Sequence, residues 1–155
     1  MRTARIGMVA AIVLAVATIA SAQKTDFSGT WAIDETASGA PAGGGGGRGG
    51  FGGLGMGATV KQTADALVVE RTMGDNKVTL TYKLDGTESK NTMMGRGGQP
   101  MESVSTTKWD GNKLVITSKV GENESTQVWS LAGTALTIET TSARGTQKRV
   151  YKKST

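Results

Sequence analysis

Two hydrophobic patterns divide the chain. Residues 6–20 form an apolar run broken only by Thr18, whereas from Phe27 onward apolar and polar residues alternate in short stretches. Alternation with period 2 sends successive side chains to opposite faces of a strand. It recurs over ten segments: 27–33, 58–62, 66–71, 77–84, 87–92, 102–109, 113–120, 124–131, 135–141 and 146–152. Turn residues separate many of them, among them Asp85-Gly86, Asp110-Gly111, Gly121-Glu122 and Gly133. Asp-Gly between alternating runs is a strong hairpin signal, because glycine takes the positive φ of a tight turn at little cost. The expected fold is all-β: an antiparallel up-and-down β-barrel of about ten (eight to ten) strands. Closing the meander on itself removes exposed strand edges.

The same alternation assigns faces. Val78, Leu80, Tyr82 and Leu84 share one side of their strand, and Leu114, Ile116, Ser118 and Val120 share another. Ser125, Gln127, Trp129 and Leu131 fall together, as do Gln147, Arg149 and Tyr151. Several expected inner faces thus mix apolar with polar groups. Such a mixture suits a lumen for an amphipathic molecule, although small barrels also fill their interior with side chains.

The apolar run has a different purpose. Arg2 and Arg5 precede it and Ala20-Ser21-Ala22 follows it, the order of a signal peptide over residues 1–22 with Gln23 as the mature N-terminus. The run is shorter than the ~20 residues of a membrane span. The expected product is a single domain over 23–155, exported to the periplasm or outside the cell, soluble after cleavage and without stable membrane insertion. It has no Cys and so relies on no disulfide. Of the formal net charge of +5, two units come from Arg2 and Arg5. Little basicity then remains for a nucleic-acid footprint, and no nucleic-acid partner is expected.

Residues 38–57 stand apart. Glycine dominates them, including Gly43 to Gly47, and such a tract buries too little apolar surface to order itself. A flexible Gly-rich loop after the first strand is expected, with Phe51, Leu54 and Met56 placed to dip onto the barrel mouth. A second tract, 93–101, carries Met93, Met94 and Met101 among glycines and is expected near the same end.

Catalytic tools are few. With neither His nor Cys, Ser-His and Cys-His nucleophile pairs and histidine zinc sites are excluded. Most carboxylates fall at turns or strand ends, leaving Glu70 and Glu139 mid-strand. No catalytic residue, metal site or cofactor is assigned, and the chain is read as a non-enzyme. The glycine tract spells a dinucleotide-binding GxGxxG at 50–55, but no strand–helix unit frames it.

Two short segments carry a resemblance. Phe27-Ser28-Gly29-Thr30-Trp31 resembles the opening strand of lipocalins and fatty-acid-binding proteins, the calycin barrels. Arg149-Val150-Tyr151 resembles the final-strand pair with which fatty-acid-binding proteins hold a ligand carboxylate. The resemblance implies that Gly29 and Trp31 close one end of the barrel, with Arg149 or Lys148 stacked over Trp31. It also implies that Arg149 and Tyr151 grip a polar head group, a planar fork of donors plus a hydroxyl. An Arg lid on Trp31 and a Tyr in the core wall would explain the same two residues structurally. Gln127, Tyr82 and Arg71 are further candidate lumen contacts, each also explained by a purely structural role. The departures are specific. The partner Arg of that family has no match, Ser118 being the nearest inner residue, and the glycine tract stands where the family has a helix pair. The leading expectation is an exported barrel binding a small hydrophobic or amphipathic molecule, such as a fatty acid. The alternative is a ligand-free envelope or extracellular module acting on a protein partner through its loops.

Overall fold

The computed structural model describes residues 24–38, 53–73, 75–94 and 98–154. The expected signal peptide and most of the glycine tract, Phe51 included, lie outside them, as do 95–97 of the second tract. Ten strands follow in order: β1 (Gly29–Ile33), β2 (Gly57–Gln62), β3 (Ala66–Met73), β4 (Asn76–Lys83), β5 (Ser89–Met94), β6 (Pro100–Asp110), β7 (Lys113–Val120), β8 (Asn123–Ala132), β9 (Ala135–Ser142) and β10 (Gly145–Lys153). Each of the ten alternating segments becomes a strand, with no end shifted by more than two residues. They form one antiparallel sheet in the order β4-β3-β2-β1-β10-β9-β8-β7-β6-β5. The chain starts in the middle of the sheet because β1 pairs with both β2 and β10, Trp31 lying opposite Ala58 and Lys153.

The two outermost strands, β4 and β5, meet to close the barrel, and side chains take over where the backbone ladder stops. Asn91 Oδ1 accepts from the Thr81 amide at 2.7 Å while Asn91 Nδ2 donates to the Thr81 carbonyl at 3.0 Å. Ser89 Oγ accepts from the Lys83 amide at 2.7 Å, and the Thr107 hydroxyl donates to the Lys83 carbonyl. An amide side chain offers both a donor and an acceptor, so Asn91 stands in for a strand residue. These buried groups thereby satisfy the backbone polar atoms a closed interior would otherwise strand.

Along β3, β8, β9 and β10 the inner positions grade from apolar to polar. One end of the barrel holds the turns at 63–65, 84–88, 111–112 and 133–134 together with the segment 24–28. There Phe27, which precedes β1, is fully buried, edge-on to Trp129 at 5.8 Å and stacked on Trp109 at 6.2 Å. The Gln62 side chain ties this segment down, accepting from the Phe27 amide at 3.0 Å and donating to the Thr25 carbonyl at 2.9 Å. Thr25 in turn donates to the Asn112 carbonyl at 2.6 Å, so the chain crosses the end of the barrel and shuts it. At the opposite end the strands begin or stop at 33, 57, 73, 76, 94, 100, 120, 123, 142 and 145. The described strand ends that flank the two glycine-bearing tracts therefore face one mouth.

Candidate functional site

Inner positions near the mouth carry polar and cationic groups: Arg71 on β3, Gln127 on β8, and Arg149 and Tyr151 on β10. Arg71 is 7% exposed, Gln127 3% and Tyr151 fully buried, with Arg149 half-buried beside them. Tyr82 lies one strand from Arg71, on the inner face of β4, and is buried. Strand alternation explains the gathering. Arg71 follows Leu67 and Val69 on one face, Gln127 precedes Trp129, and Arg149 precedes Tyr151, so each polar group sits one inward step mouthward of an apolar or aromatic one.

Backbone from the glycine tract fills the middle of this cluster. Tyr151 Oη accepts from the Leu54 amide and donates to the Gly55 carbonyl, both at 3.2 Å. Gln127 Oε1 accepts from the Gly53 amide at 3.3 Å and from Trp129 Nε1 at 3.1 Å. Arg71 Nη1 donates to the Gly53 carbonyl at 3.1 Å. The Leu54 side chain is fully buried, while Met56 is 71% exposed. Of the stretch expected to be a flexible loop, 39–52 lies outside the described residues, but Gly53–Gly57 is placed and bonded. The density of glycine hides this: what orders the segment is three distant side chains, which no local pattern reveals.

Arg71 is electrostatically unusual. Its Nε is buried with no hydrogen-bond partner among the described residues, and no ion pair described there includes it. Burial holds the guanidinium below its ordinary value; Tyr82 and Tyr151 oppose that shift, and the like charge of Arg149 adds to it. A buried cation without a counter-ion is costly, and natural interiors keep few of them. Burial also raises the Tyr151 hydroxyl, the Leu54 amide and the Arg149 and Arg71 charges pulling it back.

Tyr82 gives a direct pH signature. Burial pushes its phenol from 10.0 up to about 12, against the pull of Arg71. Between those values the folded chain keeps a proton that the unfolded chain has lost, so stability falls as pH rises from 10 towards 12. The expected loss is about 2 kcal/mol at pH 12. Urea denaturation at stepped alkaline pH measures it, and Tyr82→Phe should flatten the slope over that range.

The closed end corrects one expectation. Trp31 is buried and donates from Nε1 to the Phe27 carbonyl at 2.9 Å, but the cation over its ring is Lys153, at 5.8 Å, rather than Arg149 or Lys148. The register decides this: Lys153 is the residue opposite Trp31, whereas Arg149 lies four residues on, level with Ile138, and Lys148 is on the outer face. Gly29 lies beneath the same lysine, where a Cβ would sit 2.7 Å from Lys153 Cε. Freed from Trp31, Arg149 remains beside Arg71 and Tyr151. The mid-strand acids resolve as surface groups, Glu70 bridging Lys61 at 3.3 Å and Lys77 at 3.9 Å, and Glu139 exposed. Among the described residues no group of carboxylates could hold a metal ion, and no helix is long and apolar enough to cross a membrane.

Sequence signals missed two features. The seam residues Ser89, Asn91 and Thr107 read as ordinary polar strand positions, since only the strand order shows that β4 and β5 lack a ladder. Buried Ser103 and Ser105 likewise look like ordinary polar positions of an alternating strand; Ser105 lies 2.8 Å from Ser118, hydroxyl to hydroxyl.

Comparisons with known proteins place this architecture. No family model and no curated protein matches the chain. Among solved structures it resembles a REP1-NXSQ fatty acid transporter, with a TM-score of 0.59 and 16% identity over 83% of this chain and 96% of that one. Human cRBP IV gives a TM-score of 0.57 and 17% identity, covering 84% of this chain and 99% of the other. A secretory abundant heat soluble protein from Ramazzottius varieornatus gives 0.56 and 16%, covering 83% and 95%. At such identities the likeness speaks to architecture alone, an antiparallel ten-stranded β-barrel.

Proposed function

We propose that the chain is an exported barrel that takes up a small amphipathic acid, a fatty acid being the fitting class, with its carboxylate held at the mouth-side cluster. Arg71 and Arg149 supply charge, Tyr151 and Gln127 supply oriented polar groups, and Tyr82 walls the site beside Arg71. The observation that carries this reading is Arg71, a cation buried in the barrel interior with Nε unpartnered and no carboxylate paired to it among the described residues. A ligand carboxylate would provide the missing counter-charge in a charge-assisted, two-point contact. The apolar residues deeper in the barrel suit an alkyl chain. Similarity in fold to a protein named a fatty acid transporter is in keeping with it.

A ligand-free interaction module remains the competing reading, and one observation favours it: Gly53-Leu54-Gly55 already bonds Tyr151, Gln127 and Arg71. Titration with 11-(dansylamino)undecanoic acid separates the two. The first reading expects saturable, blue-shifted fluorescence at one probe per chain, reversed by decanoate but not by 1-decanol. Fluorescence that never saturates, or equal competition by the alcohol, would contradict an acid-specific lumen. Export is checked by the intact mass of the protein recovered from the periplasm or medium, expected to begin at Gln23.

A further inference from the structure

We infer that Gly53-Leu54-Gly55 is a built-in occupant of the lumen site, a strap whose backbone holds the place of an acid head group and must withdraw when an acidic amphiphile binds. This rests on the proposed binding function and adds to it a regulatory element encoded in the chain.

The chemistry of the strap matches that of the ligand it would yield to. Two of its carbonyl oxygens sit where carboxylate oxygens would be welcome, Gly53 O on Arg71 Nη1 at 3.1 Å and Gly55 O on Tyr151 Oη at 3.2 Å. Between them the Leu54 side chain is fully buried, the one bulky apolar group in the strap. The imitation is incomplete, because a neutral carbonyl satisfies Nη1 and leaves Arg71 Nε without a partner among the described residues. A carboxylate carries a full charge and two acceptor oxygens, so it would complete what the strap does only in part.

The strap is also built to leave. Gly53 and Gly55 both take positive φ, +76° and +67°, conformations that glycine adopts and releases readily. A Cβ on Gly53 would approach Tyr151 Oη to 3.0 Å, so close contact with the tyrosine requires glycine there. The segment dips inward by a single side chain. Met56, next but one, is exposed, and its carbonyl accepts from the Ile33 amide at 2.9 Å, which anchors the chain as it enters β2. Withdrawal therefore moves a few residues ahead of a fixed point and leaves the sheet unchanged.

A strap that must open first weakens apparent affinity by the fraction of time it spends open. Removing the Leu54 side chain takes away most of its buried apolar area, so Leu54→Gly should bind decanoate about tenfold to 100-fold more tightly than the wild type by isothermal titration. In the wild-type chain, saturating decanoate should speed amide hydrogen exchange at 53–55 several-fold while the β-strands keep or gain protection. That second measurement needs no variant and stands if Leu54→Gly folds poorly. Unchanged or weaker decanoate binding by a folded Leu54→Gly, with exchange at 53–55 unmoved by ligand, would overturn the strap and leave the binding barrel in place. Absence of decanoate binding by both proteins, with no displaceable dansyl probe, would overturn the binding function and the strap with it.

Discussion

Replacing Arg71 by Met should make the folded chain more stable and nearly abolish its affinity for carboxylates. The stability gain follows from burial: Arg71 is 7% exposed, its Nε has no partner, and no acid is paired with it among the described residues. Methionine spans a similar length, is flexible enough to fill the vacated space and carries no charge to desolvate. Against this stands the loss of one bond to the Gly53 carbonyl. We expect a net increase of about 1–2 kcal/mol in unfolding free energy, since exchanging buried charge for well-packed apolar groups is often stabilising. Decanoate affinity should fall about 100-fold, the scale of one buried charge-assisted contact. Chemical denaturation and calorimetric titration on the same samples read both effects. A purely structural arginine predicts the opposite sign for stability, so the two measurements together separate a binding residue from a core brace. Arg71→Lys keeps the charge but loses the planar fork, and should fall between the two in affinity.

At the other end of the barrel, Trp31→Ala should cost about 3–5 kcal/mol, the range for removing a large buried aromatic side chain. The residue is 2% exposed, holds the Phe27 carbonyl through Nε1, and seats Lys153 over its ring. Its loss frees the segment that crosses the closed end and opens a cavity beside Phe27. A fall in Tm of about 10–20 °C is expected by circular dichroism for a domain of this size. Lys153→Ala tests the cation alone and should cost under about 1 kcal/mol, because an exposed cation–π contact contributes little. Since Trp31 lies away from the mouth-side cluster, decanoate affinity of Trp31→Ala measured well below its Tm should stay within about threefold of the wild type. A large affinity loss in the folded variant would place the head group at the closed end instead.

Much of the fold was legible because period 2 is an unambiguous signal where turns are marked by Asp-Gly and Gly. β7 was expected over Lys113–Val120 and forms there, with Leu114, Ile116, Ser118 and Val120 facing inward. Of the end residues, Trp31 is buried at the closed end as the opening strand implied. Pairing partners were harder. Which cation covers Trp31 depends on the β1–β10 register, and a shift of a few residues separates Lys153 from Arg149. The seam was invisible for a similar reason, since Asn91 acts as it does only because β4 and β5 meet without a ladder. The site was half legible. Alternation placed Tyr82, Gln127, Arg149 and Tyr151 on shared faces but left the facing of β3, and so of Arg71, open, and composition marked Gly53-Leu54-Gly55 as flexible loop, with Leu54 alone expected to dip onto the mouth. Contacts between residues 74 to 97 positions apart in sequence give that segment its place.

Native mass spectrometry of the protein recovered from its producing cells tests the central claim most directly. The account predicts one small organic acid per chain, retained under gentle conditions, identified after denaturation, and missing from Arg71→Met prepared in the same way. A wild-type chain that arrives empty and stays empty after incubation with mixed fatty acids would contradict it.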